Sequence, residues 1–201
     1  MHDRLLSGTP ARTEIQLRDW AMGPVVHHYL ALRAVAHDAS GRVVEDRSLA
    51  EIHGLATMAS RPDKALVNTF ELGGGSNLHA YWFDGEFLPG LLNQVIAAAG
   101  TGGAPEESQA LEAAFRAAFA EADASLNAMG LRYQVARQNS NTVARWVAAR
   151  LAERLGRADP VHPGLWLRRP GWRNDLARPV LERHKPRGRS WPRPRLPARL
   201  P

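Results

Sequence analysis

The stretch from Tyr133 to Val143 (YQVARQNSNTV) sets one hydroxyl between two carboxamides, where a strand-like run gives way to a helical one. Ser140 there faces the unpaired amides and the positive dipole end of the following helix. That environment ionises a thiol far more readily than an alcohol, so Ser140 needs a general base to act as a nucleophile. His27 and His28, adjacent in VVHHYLALRAV, are the nearest candidates. His28 shares strand parity with Leu30, Leu32 and Ala34, whereas His27 shares it with Tyr29 and Ala31. A leucine face packed on helices therefore turns His28 toward Ser140. His53, in Glu51-Ile52-His53-Gly54 on the next strand, is the third polar group, expected to orient His28. Asn139, Asn141 and Tyr133 are the candidate substrate-binding residues around the hydroxyl. The competing reading is structural: Asn139, Ser140 and Asn141 are all favoured N-cap types, and capping alone accounts for them.

Other chemistries find less support. The chain has no cysteine, which removes disulfides, thiolate metal sites and any thiol nucleophile. The GGGS at 73–76 lacks the Lys–Ser/Thr pair of a phosphate loop and reads as a flexible turn. The eight histidines form no HExxH pattern, so neither a metal nor another cofactor is expected. No pair of acids is placed for glycoside chemistry, and Glu106, Glu107 and Asp123 read as the solvated face of a helix.

The elements that must hold these residues show two periods. Residues 11–20 alternate apolar and polar, 25–35 are rich in β-branched and aromatic residues, and 43–57 continue as a strand irregular near Asp46–Ser48. Asp38, Ser40 and Gly41 supply turn chemistry between the last two. YWFDGEF at 81–87 reads as a further strand or hairpin, 89–100 as a short helix, and 131–137 as a short strand. Leu111, Phe115, Phe119, Ala122, Leu126 and Met129 make one stripe of a helix over 105–130, with acids in its first turn and Gly130 as its stop. A second helix over 139–156 carries Val143, Trp146, Val147, Leu151 and Leu155 on one face. The expected class is α+β, an antiparallel sheet packed against two or three helices.

With a histidine opening an early strand, and Asn139-Ser140-Asn141 following a Tyr-containing strand at the head of a helix, the chain resembles the circularly permuted papain-like proteins of the NlpC type. The resemblance covers about residues 20–157. It implies a permuted papain-like fold and an amidase or acyl-transfer ancestry, with Ser140 standing where that group has its cysteine. The expected function is hydrolysis of an amide or ester, in a small molecule or a peptide, by a Ser140–His28 dyad. The alternative is a catalytically inactive papain-like module that binds a ligand or a protein partner.

Charge divides the chain. Residues 168–201 hold 11 Lys/Arg against Asp175 and Glu182, whereas residues 1–167 hold 15 basic and 18 acidic residues. The expected organisation is a domain over 1–167 and a disordered Pro/Arg-rich tail over 168–201, too proline-dense for a long helix or a central strand. Trp172 and Trp191 among the arginines make this tail the one segment suited to nucleic acid or a membrane surface. No run reaches the ~18 apolar residues that span a bilayer. The start, MHDRLLSGTPARTE, lacks a signal-like apolar core, which points to the cytoplasm, with signal-independent export as the alternative.

Overall fold

A computed structural model of the 201-residue chain describes residues 11–22, 25–58, 61–66, 77–100, 105–133 and 139–157. The Pro/Arg tail and the GGGS turn lie outside the described residues.

Among the described residues, six strands form one antiparallel sheet: β1 (Arg12–Met22), β2 (Val25–His37), β3 (Val43–Met58), β4 (Arg61–Leu66), β5 (Asn77–Asp84) and β6 (Leu91–Ala98). The order runs β4-β3-β2-β1-β6, and β5 also pairs with β3. The strands expected over 11–20, 25–35 and 43–57 are present, the strand expected over 81–87 begins earlier and ends at Asp84 as β5, and the chain reverses at Asp38–Gly41 through an Asp38 side chain that accepts from the Ser40 and Arg42 amides. The irregularity falls at Leu49, which the register passes over between Ser48 and Ala50.

One expectation changes. Residues 89–100 form not a helix but the strand β6, paired to β1 from Glu14↔Ala98 to Asp19↔Leu91. A short apolar run between Gly90 and Gly100 carries no helical period of its own, and the open edge of β1 supplies the backbone partners that decide it. Of the strand expected over 131–137, Arg132 makes one antiparallel bridge with Asn77, and residues 134–138 lie outside the described residues.

Two helices cover one face of the sheet: α1 (Pro105–Leu126), continued by a 3-10 turn to Met129, and α2 (Ser140–Arg154). Ile15 and Leu17 of β1, Leu30 and Leu32 of β2, Ile52 of β3 and Leu78 of β5 meet Leu111, Phe115, Val143, Val147 and Leu151 in one core. Trp82 leans on Phe115 and Phe119, with ring centroids 5.6 and 5.5 Å apart. Among the described residues, no helix is long and apolar enough to cross a membrane.

The head of α2 lies directly on β3. A Cβ added at Gly54 would stand 2.6 Å from Val143 Cβ and 2.9 Å from Ser140 Cα. Val143 has a β-branched side chain fixed by its own helix, so neither atom can swing aside. Gly54→Ala should therefore lift α2 from the sheet and cost about 1–3 kcal/mol. Chemical denaturation of the two proteins, read as a shift in midpoint at constant slope, measures it.

Candidate functional site

β2 and β3 part at the Tyr29↔His53 pair, beyond which β3 no longer pairs with β2. The next groups of β2 are met instead by a side chain from α2. Asn141 Oδ1 accepts from the His28 amide at 2.8 Å, and Asn141 Nδ2 donates to the Val26 carbonyl at 3.0 Å. One carboxamide thus stands in for a strand, with both bonds buried or nearly so. Asn139 does the capping: its side chain accepts from the Asn141 amide at 3.0 Å, and Thr142 Oγ1 accepts from the Asn139 amide at 3.2 Å, a reciprocal capping box. Ser140 lies between a cap and a clamp, at the first position of the helix.

This arrangement fixes Ser140 relative to His28. Extending the β2–β3 register by one residue beyond Tyr29↔His53 sets Gly54 opposite His28, and the Ser140 backbone rests on Gly54. Ser140 and His28 thus both lie over Gly54 on the helix-covered face, and no hydrogen bond joins the Ser140 hydroxyl to the buried His28 Nε2. Tyr133 lies within the reach of Ser140. Burial raises the Tyr133 pKa, and Ser140 opposes that rise.

The residue that orients His28 is Asp19. The two stand opposite each other across β1 and β2, with His28 Nδ1 2.5 Å from Asp19 Oδ1. The other carboxylate oxygen, Oδ2, accepts from Asn93 Nδ2 of β6 at 2.7 Å. A carboxylate on Nδ1 selects the imidazole tautomer that carries its hydrogen there and its lone pair on Nε2.

His53 does not take that part. It lies on the opposite face, because its register partner is Tyr29 and not His28. There His53 Nε2 donates to Glu51 Oε2 at 2.7 Å, and His53 Nδ1 accepts from His27 Nε2 at 2.9 Å. Glu51 is fully buried and also accepts from the Phe87 and Leu88 amides, both at 3.2 Å. Tyr29 stacks on His53 with ring centroids 4.4 Å apart, while Phe83 and Phe87 meet its edges. Desolvation lowers the pKa of His27 well below its ordinary value, helped by His53 and His28. Desolvation also lowers His53, against the opposing pull of Glu51. Both rings are neutral at pH 7.

Reasoning from the sequence missed Asp19 and Asn93. Asp19 had a visible signal: it follows Ile15 and Leu17 at strand parity, a charge on an apolar face. Asn93 had none, because its run read as a helix. Among the described residues, no cluster of His, Asp or Glu is arranged to hold a metal ion. No protein-family model matches the chain, and no curated protein or solved structure matches it either.

Two outcomes follow. Asn141→Ala removes both clamp bonds and leaves a buried N–H and C=O without partners, at a cost of roughly 2–4 kcal/mol. Its denaturation midpoint should fall while that of Asn139→Ser, which keeps a capping oxygen, stays close to the parent. The second concerns pH. His27 and His53 have folded pKa values below their unfolded ones, so the unfolded chain takes up protons first as the solution is acidified. Stability from this pair is complete above about pH 6.5 and declines below it. Denaturation midpoints between pH 7.5 and 5 should show this fall, and His27→Gln should flatten it.

Proposed function

We propose that the site is a hydrolase-like centre of permuted papain-like type, in which Ser140, His28 and Asp19 act on an amide or ester. The observation that carries this reading is the Asp19–His28 pair, a fully buried ring 2.5 Å from a partly buried carboxylate that Asn93 steadies, near a serine at a helix head. Ser140 Oγ attacks the acyl carbon as its proton passes to His28 Nε2. Asp19 holds the ring and stabilises the imidazolium that forms. The Tyr133 hydroxyl supplies a hydrogen bond to the carbonyl oxygen as it gains charge. The proton on His28 then goes to the departing amine or alcohol. Water, deprotonated by His28, releases the acyl group from Ser140.

A second reading keeps the fold but drops the turnover. Ser140 and Asn139 are each only 4% exposed and both serve the helix head. On this reading the same face binds a ligand or a protein partner without chemistry, and Ser140 is a spacer between cap and clamp.

A serine-directed fluorophosphonate separates the two. On the first reading it labels Ser140, and His28→Ala and Asp19→Asn each slow labelling by about 10²–10⁴-fold, the usual worth of general-base assistance. Circular dichroism on each variant establishes that the fold is kept. On the second reading no labelling occurs, and Ser140→Ala retains the parent's stability within about 1 kcal/mol, the usual worth of a helix-end residue.

A further inference from the structure

Residues 85–90 join β5 to β6 across the face of the sheet opposite the helices. Glu51 Oε2 accepts from the Phe87 and Leu88 amides, and the Tyr29 hydroxyl donates to the Leu88 carbonyl at 2.6 Å. Arg33 pairs with Glu86 at 3.3 Å, and Arg18 donates to the Gly90 carbonyl at 3.0 Å. Gly90 itself presses on two residues: an added Cβ would stand 2.6 Å from the Tyr29 oxygen and 2.8 Å from the Asp19 carbonyl. β6 begins at the next residue, and Asn93 follows two places on to reach the Asp19 carboxylate. The loop thus sets where the partner of Asp19 stands.

Under the loop lies the His27–His53–Glu51 row, and its geometry limits the protons it can hold. His27 Nε2 donates to His53 Nδ1, and His53 Nε2 donates to Glu51 Oε2. One added proton is absorbed, since His53 can donate from both nitrogens while His27 changes tautomer. A second sets two N–H donors face to face across 2.9 Å and puts two cations in one buried site. Tyr29 stacks on His53 at 4.4 Å, and Phe83 and Phe87 close its edges. Phe87 belongs to the loop, so lifting the loop is the move that hydrates His53.

Among the described residues, the charged and ionisable groups around the row are Arg18 of β1, His28, Tyr29 and Arg33 of β2, Asp46 of β3, Tyr81 of β5 and Glu86 of the loop. β6 adds none. Of these types, imidazole alone ordinarily changes charge between pH 5 and 8. Desolvation holds His27 and His53 below their ordinary values while the loop is closed. The open loop therefore binds more protons, so acid favours opening and the loop stays shut above about pH 6.5.

We propose that the His27–His53–Glu51 row is an acid-sensitive latch: once doubly protonated it releases the loop 85–90, and with the loop the Asn93 amide leaves Asp19. Its bearing on acyl transfer rests on the assignment of Ser140, His28 and Asp19 to that chemistry, whereas the opening does not. With the latch closed, Asn93 steadies the carboxylate that aligns His28. With it open, that hold is lost.

Nuclear magnetic resonance of the full chain between pH 7.5 and 5 tests the latch. Protection of the Phe87, Leu88 and Gly90 amides from solvent exchange should fall about 10–100-fold per pH unit below about pH 6.5, for one or two protons taken up. The Asn93 side-chain amide should shift with the same midpoint, while the amides of Phe115 and Leu151 in the helices stay protected. His27→Gln keeps a donor for His53 Nδ1 but takes up no proton, so its loop and its Asn93 signal should hold to pH 5. Tyr29→Phe, which removes the bonds to Leu88 and Gly90, should open at a higher pH than the parent. Joint loss of protection in loop and helices, which is unfolding of the domain, would overturn the latch. So would an Asn93 shift that persists in His27→Gln, which would assign it to His28, or a loop that opens while Asn93 stays in place. Fluorophosphonate labelling is scored on the same samples. Its absence at every pH ends the acyl-transfer reading and leaves the latch to stand or fall on the Asn93 signal.

Discussion

Where β3 leaves β2, the amide of His28 and the carbonyl of Val26 must find partners, and Asn141 meets both. The rest of the site depends on that substitution of a side chain for a strand. Because the clamp is short, the head of α2 comes down onto β3 until only a hydrogen fits at Gly54. Because it grips the backbone of His28, the ring of His28 is placed by the same contact that places Ser140. An interaction that only secured the helix elsewhere along β2 would leave the serine and the histidine unrelated. Here, backbone satisfaction and site geometry have one cause.

His27 and His28 are neighbours in sequence and strangers in space. Strand alternation sends them to opposite faces, each into its own hydrogen-bonded row. His28 meets Asp19 and, through it, Asn93 of β6. His27 meets His53 and, through it, Glu51, whose carboxylate ties down the amides of Phe87 and Leu88. That loop continues through Gly90, whose carbonyl accepts from Arg18 and whose amide donates to the Tyr29 hydroxyl, directly into β6. The second row therefore bears on the first: it fixes the segment that delivers Asn93 to Asp19. The buried Glu51 carboxylate meets four donors, the Ser48 hydroxyl, the His53 ring and the amides of Phe87 and Leu88, so the row has a structural reason to exist without any reaction of its own.

Much of this architecture was legible in the residues. β1 to β3 announced themselves through alternation, and both helices through stripes that the core bears out at Leu111, Phe115, Val143, Val147 and Leu151. The failures share a cause, which is that they turn on long-range pairing. β6 is a strand because β1 has an edge to offer, and nothing local within its own eight residues says so. His53 faces away from His28 because the register sets it against Tyr29, and one residue of register decides which face every side chain takes. Asp19 was the exception, since its parity with Ile15 and Leu17 already placed a carboxylate on the leucine face.

The Asn139-Ser140-Asn141 triplet looked ambiguous because all three residue types favour the same position. The structure distributes the work among them. A helix has one N-cap, and Asn139 fills it, with Thr142 returning the bond. Asn141 turns outward to the strand, a role that needs a donor atom and an acceptor atom set apart on one side chain; aspartate has no donor and serine has a single oxygen. Capping thus accounts for Asn139, and strand completion accounts for Asn141. Neither accounts for a hydroxyl between them, set over Gly54, within reach of Tyr133 and near a histidine already paired with a carboxylate. An alanine at 140 would satisfy the helix and the sheet equally well. The hydroxyl is the part of the triplet that neither capping nor strand completion requires, and the group it meets in the structure is Tyr133.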